Sequence, residues 1–179
     1  MSSLYIGIDN GLSGALVAIS AHHGIVIASA VMPTIKKTKG NEVDSLAVKE
    51  WLSAVCAGNL RSLCVILETP GKQGVRFRDK FGEQVKGGSL ALCSMWDSYG
   101  AIRSILETNS IRHHRITPQA WQKVMIPGTE KGDTKPAALH KARQLWPDEK
   151  WLATQRCSKP HDGMIDAALM AEFGRITKL

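Results

Sequence analysis

Residues 4–19, Leu4-Tyr-Ile-Gly-Ile-Asp-Asn-Gly-Leu-Ser-Gly-Ala-Leu-Val-Ala-Ile19, decide how the rest of the chain is read. An apolar strand carries Asp9, breaks at Asn10-Gly11 and resumes as a second apolar strand from Ala15. Asn-Gly between two hydrophobic runs is a strong hairpin signal, because both residues tolerate positive φ. With Ile6 and Ile8 on one side of such a strand, Asp9 shares the other side with Gly7, at the strand's exit. A carboxylate there is held rigidly while its head group stays reachable. It serves equally well as a metal ligand or as the residue that starts the turn.

Working outward, residues 24–31 read as a third strand closed by Pro33, and Lys36, Lys37, Lys39 and Gly40 as a basic loop. Residues 44–57 have helical spacing in Leu46, Trp51, Leu52 and Val55, ended by Gly58-Asn59. Leu63-Cys-Val-Ile-Leu-Glu68 is wholly apolar up to its final acid, the pattern of a buried parallel strand, and Thr69-Pro70-Gly71 stops it. A polar, Gly-punctuated stretch over 71–88 leads into a long helix over 89–107, whose apolar stripe is Leu92, Met95, Trp96, Tyr99, Ile102 and Leu106. Residues 111–116 read as a strand, and Thr117-Pro118 opens a short helix, Thr as N-cap and Pro in the first turn. After a turn over 128–133, Thr134-Lys-Pro begins another helix. Residues 147–160 read as irregular, and a last helix opens at His161-Asp162 and runs through Ile165, Leu169 and Phe173. His22, His23, His113 and His114 are taken as exposed loop and strand residues rather than ligands. Three strands followed by alternating helix and strand make an α/β chain on a mixed sheet flanked by helices, one domain over 1–179.

Composition narrows the function classes. The 179 residues are 44% apolar and 22% charged, the balance of an ordinary soluble globular chain. No apolar run approaches the roughly 20 residues of a membrane span, and the amino end lacks a basic-then-apolar signal pattern. Cys56, Cys64, Cys93 and Cys157 are scattered without C-x-x-C spacing, which argues against zinc and against a disulfide scaffold. A reducing, cytoplasmic setting is the expectation. The net charge of +7 favours a polyanionic partner.

Four acids stand out. Asp9 and Glu68 end strands, while Asp162 and Asp166, four apart, share one face of the last helix. Carboxylates that face a core are costly unless paired or bound to a cation. Brought together at one sheet edge, the four would suit hard divalent ions. Plainer roles exist for three of them: Asp162 as an N-cap, Glu68 as a strand end, Asp166 as a salt-bridge partner.

The ordered set I-G-I-D-N-G-L-S-G-A, V-I-L-E-T-P and H-D-G-M-I-D-A-A-L-M-A-E-F-G-R resembles the RuvC-type Holliday-junction resolvases of the RNase H-like superfamily. R-I-T-P-Q-A-W-Q-K-V and K-P-A-A-L-H-K-A-R-Q-L-W-P extend the resemblance over nearly the whole chain. It implies an RNase H-like fold on a five-stranded mixed sheet, and a Mg²⁺-dependent endonuclease acting on four-way DNA junctions. Two ions per site are implied, with Mn²⁺ able to substitute, together with a homodimer and no nucleotide cofactor. Asp9, Glu68 and Asp166 match the family's metal-binding acids. For the fourth ligand Asp162 has the spacing and His161 is the alternative; for a catalytic cation the candidates are Lys131 and Lys135. Asn10 stands where proline is common in that family, and Thr69 where glutamine is common.

Between Glu68 and the long helix, Lys72, Arg76, Arg78, Lys80 and Lys86 can take DNA phosphates without regard to sequence. Phe77 or Phe81 can wedge or stack at a junction, the other packing the loop down. Other readings are a nuclease for RNA–DNA hybrids, an acetate- or sugar-kinase-type fold, and a junction-binding module with a relic site. The His-Asp-Gly and Thr-Pro-Gln-Ala-Trp segments favour the resolvase over the first. The kinase type needs two such domains, and a relic site predicts missing acids.

Overall fold

The computed structural model describes residues 3–38, 40–70, 76–78, 84–86, 89–130 and 132–179. Its first strands, β1 (Leu4–Asp9), β2 (Ala15–Ser20) and β3 (Val26–Val31), form an antiparallel meander. A two-stranded ribbon follows, β4 (Thr34–Lys37) with β5 (Gly40–Val43), and then α1 (Ser45–Val55). β6 (Leu63–Glu68) pairs parallel with β1. Beyond it come the short antiparallel pair β7 (Arg76–Arg78) and β8 (Gln84–Lys86), and α2 (Ser89–Thr108). β9 (Arg112–Ile116) lies parallel to β6, and α3 (Pro118–Met125), α4 (Thr134–Leu145) and α5 (Asp162–Ile176) complete the order. The main sheet runs β3-β2-β1-β6-β9, five strands, antiparallel on one side of β1 and parallel on the other.

Strand parity divides the core. Ile6, Ile8, Leu16, Val65 and Leu67 face α1 and α2, where Val48, Leu52, Ile102 and Leu106 meet them. Val17, Ile19, Cys64 and Ile66 face the other way, onto α5 and the indoles of Trp121 and Trp146. α5 presses on β1 so closely that a Cβ at Gly7 would stand 1.8 Å from the Ala167 carbonyl oxygen. Glycine is therefore obligatory at the centre of β1, and the first residues of α5 are brought to the strand ends.

Several local readings differ from the sequence-based expectation. The hairpin after Asp9 is present, but Asp9 pairs with Ala15 and residues 10–14 bridge them; neither Asn10 nor Gly11 adopts positive φ. The wider turn frees the Asn10 side chain for a partner across the sheet. Lys36, Lys37 and Gly40 are not in a loop but in the β4–β5 ribbon, Lys39 lying outside the described residues. The ribbon turns at Gly40 (φ +92°), is clasped by Lys37–Glu42 at 2.7 Å, and closes where the Asp44 N–H donates to the Pro33 carbonyl. In α1, Leu46 is 65% exposed, while Val48 and Leu52 turn inward. Asp44 caps the helix by accepting from the Ala47 N–H, which fixes its phase. The stretch 71–88, read only as a polar loop, contains β7 and β8. In α2, Tyr99, Ile102 and Leu106 are buried, whereas Trp96 is 43% exposed, its ring edge-on to Tyr99.

Candidate functional site

Because β1 and β6 are parallel neighbours, their carboxyl ends fall at one edge of the sheet, and with them Asp9 and Glu68. The carboxyl edge of parallel strands is where α/β sheets ordinarily bind ligands. Even–odd alternation sends Ile8 and Leu67 into the α1/α2 core and turns the next residue of each strand to the α5 side. α5 then adds Asp162 and Asp166 from its first two turns.

The helix start is fitted to this edge. His161 caps α5, its Nδ1 accepting from the Met164 N–H at 3.2 Å, so the cap is His161 and not Asp162. A Cβ at Gly163 would come within 2.9 Å of the Gly14 Cα and 3.0 Å of Asp9 Oδ2. Only glycine lets α5 approach the β1–β2 turn and the Asp9 head group together.

Each carboxylate has its own local partner. Asp9 Oδ1 accepts from the Gly11 N–H at 3.2 Å, so the residue does start the turn, while Oδ2 is turned to α5 at Gly163. Glu68 Oε1 accepts from Trp121 Nε1 at 2.9 Å. Asp162 Oδ2 accepts from Lys135 Nζ at 2.5 Å, with both side chains more than half exposed. Asn10, buried beneath, donates from Nδ2 to the Glu68 backbone carbonyl at 3.0 Å and ties the two strand ends together. Thr69 fixes the next strand similarly, donating from its hydroxyl and its N–H to the Ile116 carbonyl.

The electrostatics report a crowd of like charges. Burial raises Glu68 to about 7, opposed by the Trp121 hydrogen bond and reinforced by the nearby Asp9 charge. Asp166 is likewise raised to about 7, by burial first and then by Asp9, Glu68 and Asp162; Lys135 pulls the other way. Asp9 is raised by burial against the Gly11 N–H and the His161 ring. Asp9, Glu68 and Asp166 therefore share one electrostatic environment. Among the described residues, no three His, Cys, Asp or Glu side chains close into a group that could hold an ion. The chemistry of the donor set nonetheless fits a hard divalent cation: carboxylate oxygens only, partly desolvated and mutually repelling.

Of the other candidates, Lys131, Lys72, Lys80 and Phe81 lie outside the described residues. Arg76, Phe77 and Arg78 fall on β7 and Lys86 on β8, where Phe77 pairs with Val85; only the strand backbone is described there. His22 and His23 are exposed, as expected. His113 and His114 are instead half-buried, and among the described residues His114 Nε2 is buried without a partner. Trp121 and Asn10 are contributors that sequence reasoning gave no role in the site, Asn10 having been read only as a turn residue. Trp121 stands in the Thr-Pro-Gln-Ala-Trp segment, but nothing local says that its N–H meets Glu68.

Comparison with solved structures places this arrangement in a known fold class. The RuvC of T. thermophilus in complex with Holliday junction substrate is similar over 97% of this chain and 95% of that one, at TM-score 0.53 and 12% identity. A second Thermus thermophilus RuvC structure aligns over 98% and 96%, at TM-score 0.45 and 12% identity. No family model and no curated protein matches the sequence. The chain has the RNase H-like fold, a mixed five-stranded sheet flanked by helices, and its resemblance to the RuvC resolvases is met at the level of that fold.

Proposed function

We propose that the chain is a metal-dependent endonuclease that resolves four-way DNA junctions. The observation that carries this reading is the convergence of Asp9, Glu68 and Asp166 at the carboxyl ends of adjacent parallel strands, with Glu68 and Asp166 both raised to about 7. A cluster that destabilises its own charge is one that a divalent cation stabilises. Asp9, Glu68 and Asp166 would hold Mg²⁺ or Mn²⁺, with Asp162 as the fourth acid. His161 is less suited as that ligand, because its Nδ1 is taken up as the helix cap. Bound divalent ions supply a Lewis acid for the phosphate and an activated water.

The remaining roles belong to the chain itself. Trp121 holds one Glu68 oxygen and leaves the other for the site. Lys135 sits across Asp162, where its ammonium can accompany an approaching phosphate or neutralise charge developing on it. The net charge of +7 and the cations of 72–86 favour a DNA backbone, whose contacts position rather than specify. Paired nicks across a symmetric junction call for two sites, which a two-fold homodimer supplies. Exposed Trp96 on α2 offers that dimer an aromatic anchor.

The test is cleavage of a synthetic four-way junction beside duplex, flap and RNA–DNA hybrid, with and without Mg²⁺. Selective, Mg²⁺-dependent paired nicking of the junction is expected. Preference for the hybrid would move the chain to another RNase H-like activity, and binding without cutting would leave only a junction-binding module.

A further inference from the structure

The segment that joins α4 to α5 is irregular, and its residues 154–159 are exposed. Across 147–161, among the described residues, three backbone N–H groups find a backbone carbonyl: Glu149 donates to Trp146, Cys157 to Thr154, and His161 to Trp151 at 2.7 Å. The first two are local turns. The third joins the two ends of the exposed stretch and meets the residue that caps the carboxylate-bearing helix. Trp151 itself carries two unfavourable features. Its backbone is left-handed, φ +53°, a conformation a bulky side chain adopts only when its surroundings impose it. Its Nε1 is buried with no partner among the described residues, a donor that gives up its hydrogen bond to water on folding. Packing is what holds the ring: the residue is 4% exposed and lies edge-on to Trp146, with ring centroids 5.5 Å apart. Trp146 is in turn moored to the main sheet, its Nε1 donating to the carbonyl of Gly24 in the turn between β2 and β3. A strained backbone that the surroundings over-determine points to a task at that position.

We propose that Trp151 is a positioning residue for the carboxylate site, its backbone carbonyl holding His161 and, through that cap, the angle at which the first turns of α5 present Asp162 and Asp166 to a divalent cation. The inference rests on reading the acids as a metal site. His161 serves that site twice from one place. Its Nδ1 accepts from the Met164 N–H at 3.2 Å and fixes the first helical turn, and its ring lies near enough to Asp9 to favour the charged carboxylate. Both roles depend on how the His161 backbone is turned, and its N–H is committed to Trp151. The exposed stretch contributes only the Thr154–Cys157 turn and cannot set that orientation. An extended or right-handed Trp151 would aim its carbonyl elsewhere, because φ and ψ set the direction. The start of α5 tolerates little rotation, since a Cβ at Gly163 would already stand 2.9 Å from the Gly14 Cα. The body of α5 is held against β1 at Gly7 whatever happens at His161. Loss of the Trp151 contact therefore acts on the first turns, and on cation affinity beyond its effect on stability.

The experiment uses the full chain in two measurements: amide hydrogen exchange without metal, and calorimetric titration with Mn²⁺ alone. In wild-type protein the His161 amide should be protected well beyond those of 154–159. Trp151→Ala removes the ring that imposes the left-handed backbone, and Leu52→Ala empties a fully buried position under the opposite face of the sheet as the comparison. The His161 and Met164 amides should exchange several-fold faster in Trp151→Ala than in Leu52→Ala. Mn²⁺ affinity should fall by about 10–100-fold in the first and stay within a few-fold of wild type in the second. Trp151→Phe, which keeps a ring against Trp146, should restore both readings. If Trp151→Ala does not fold, Trp151→Leu, apolar but without a flat ring, carries the same comparison. An unprotected His161 amide in wild-type protein overturns the proposal. So does a Trp151 variant that matches Leu52→Ala in both readings, which makes the ring a packing element alone. Faster exchange at unchanged Mn²⁺ affinity overturns it as well, since the bond then holds the segment and not the site. Failure of wild-type protein to bind any divalent cation overturns the metal reading and this role with it, and it is told apart because no variant is involved.

Discussion

Ile8 and Asp9 are neighbours in one strand, as are Leu67 and Glu68 in the next, yet they serve opposite faces of the sheet. The face under α1 and α2 is closed mainly by aliphatic residues, Ile6, Ile8, Leu16, Val65 and Leu67 meeting Val48, Leu52, Ile102 and Leu106, with Tyr99 beside them. The face under α5 is closed by backbone approach at Gly7 and Gly163 and carries three acids with raised pKa values. The two faces show how a fold of modest size makes room for charge. Dense apolar packing on one side supports the strands, so that their ends can hold carboxylates in an electrostatically unfavourable cluster on the other.

The contrast breaks if the acids prove dispensable. Asp9→Asn and Asp166→Asn should each reduce junction cleavage to the limit of detection while leaving junction affinity within a few-fold of wild type. Cation binding needs the carboxylate charge, whereas affinity comes from phosphate contacts elsewhere. Parallel gel-shift and cleavage assays check both halves. Near-wild-type cutting by either variant would remove the carboxylate site from the chemistry.

Trp121 sharpens the same point. Its N–H holds Glu68 in place and favours the charged form. Trp121→Phe keeps most of the buried ring and should lower Mg²⁺-dependent cleavage by about 10–100-fold, the usual cost of losing a partner that orients a ligand. A raised Mg²⁺ requirement at unchanged DNA affinity is the signature to look for.

How far these residues could be read from the chain differs by region. Asp9, Glu68 and the i, i+4 pair on α5 were legible because strand ends and helix spacing are local properties. The mixed sheet followed from the order of elements. Trp121 and Asn10 were not legible as site residues, since their partners lie 53 and 58 positions away and only the tertiary fold introduces them. The β4–β5 ribbon was hidden for another reason: its lysines read as solvated loop, and its pairing depends on Gly40. Leu46 was misplaced because a helix phase follows its cap, here Asp44, rather than its most apolar residues.

Stability against pH separates the two faces without any assay of activity. Glu68 and Asp166 titrate near 7 in the folded chain, against ordinary values of 4.5 and 3.8. Their folded pKa values are raised, so the folded state binds more protons than the unfolded state between about pH 4 and 7. The stabilisation they give is complete below about pH 4 and is lost as pH rises through 7. Metal-free protein should therefore melt at a lower temperature at pH 8 than at pH 5.5. Mg²⁺ should restore more at pH 8, where the acids are charged, and Asp166→Asn should flatten the profile. A flat profile in wild-type protein would show that neither burial nor mutual repulsion raises these carboxylates.

The smallest effects compare packing alone. Gly7→Ala on the α5 face inserts a Cβ 1.8 Å from the Ala167 carbonyl oxygen, so strand and helix must separate. Overpacking against backbone, which cannot turn aside as a side chain can, should cost about 3 kcal/mol or more, and cutting should fall as well because α5 carries Asp166. Ile102→Val on the opposite face removes one methylene from a fully buried side chain and should cost about 0.5–1.5 kcal/mol. No acid lies on that face among the buried residues of its cluster, so cleavage by the folded protein should be unchanged and the pH profile should keep its slope. Denaturant unfolding measured with cleavage at a temperature where both variants are folded separates the outcomes. If Ile102→Val impairs cutting as much as Gly7→Ala does, the sheet transmits strain across its thickness, and the division of labour between its faces is wrong.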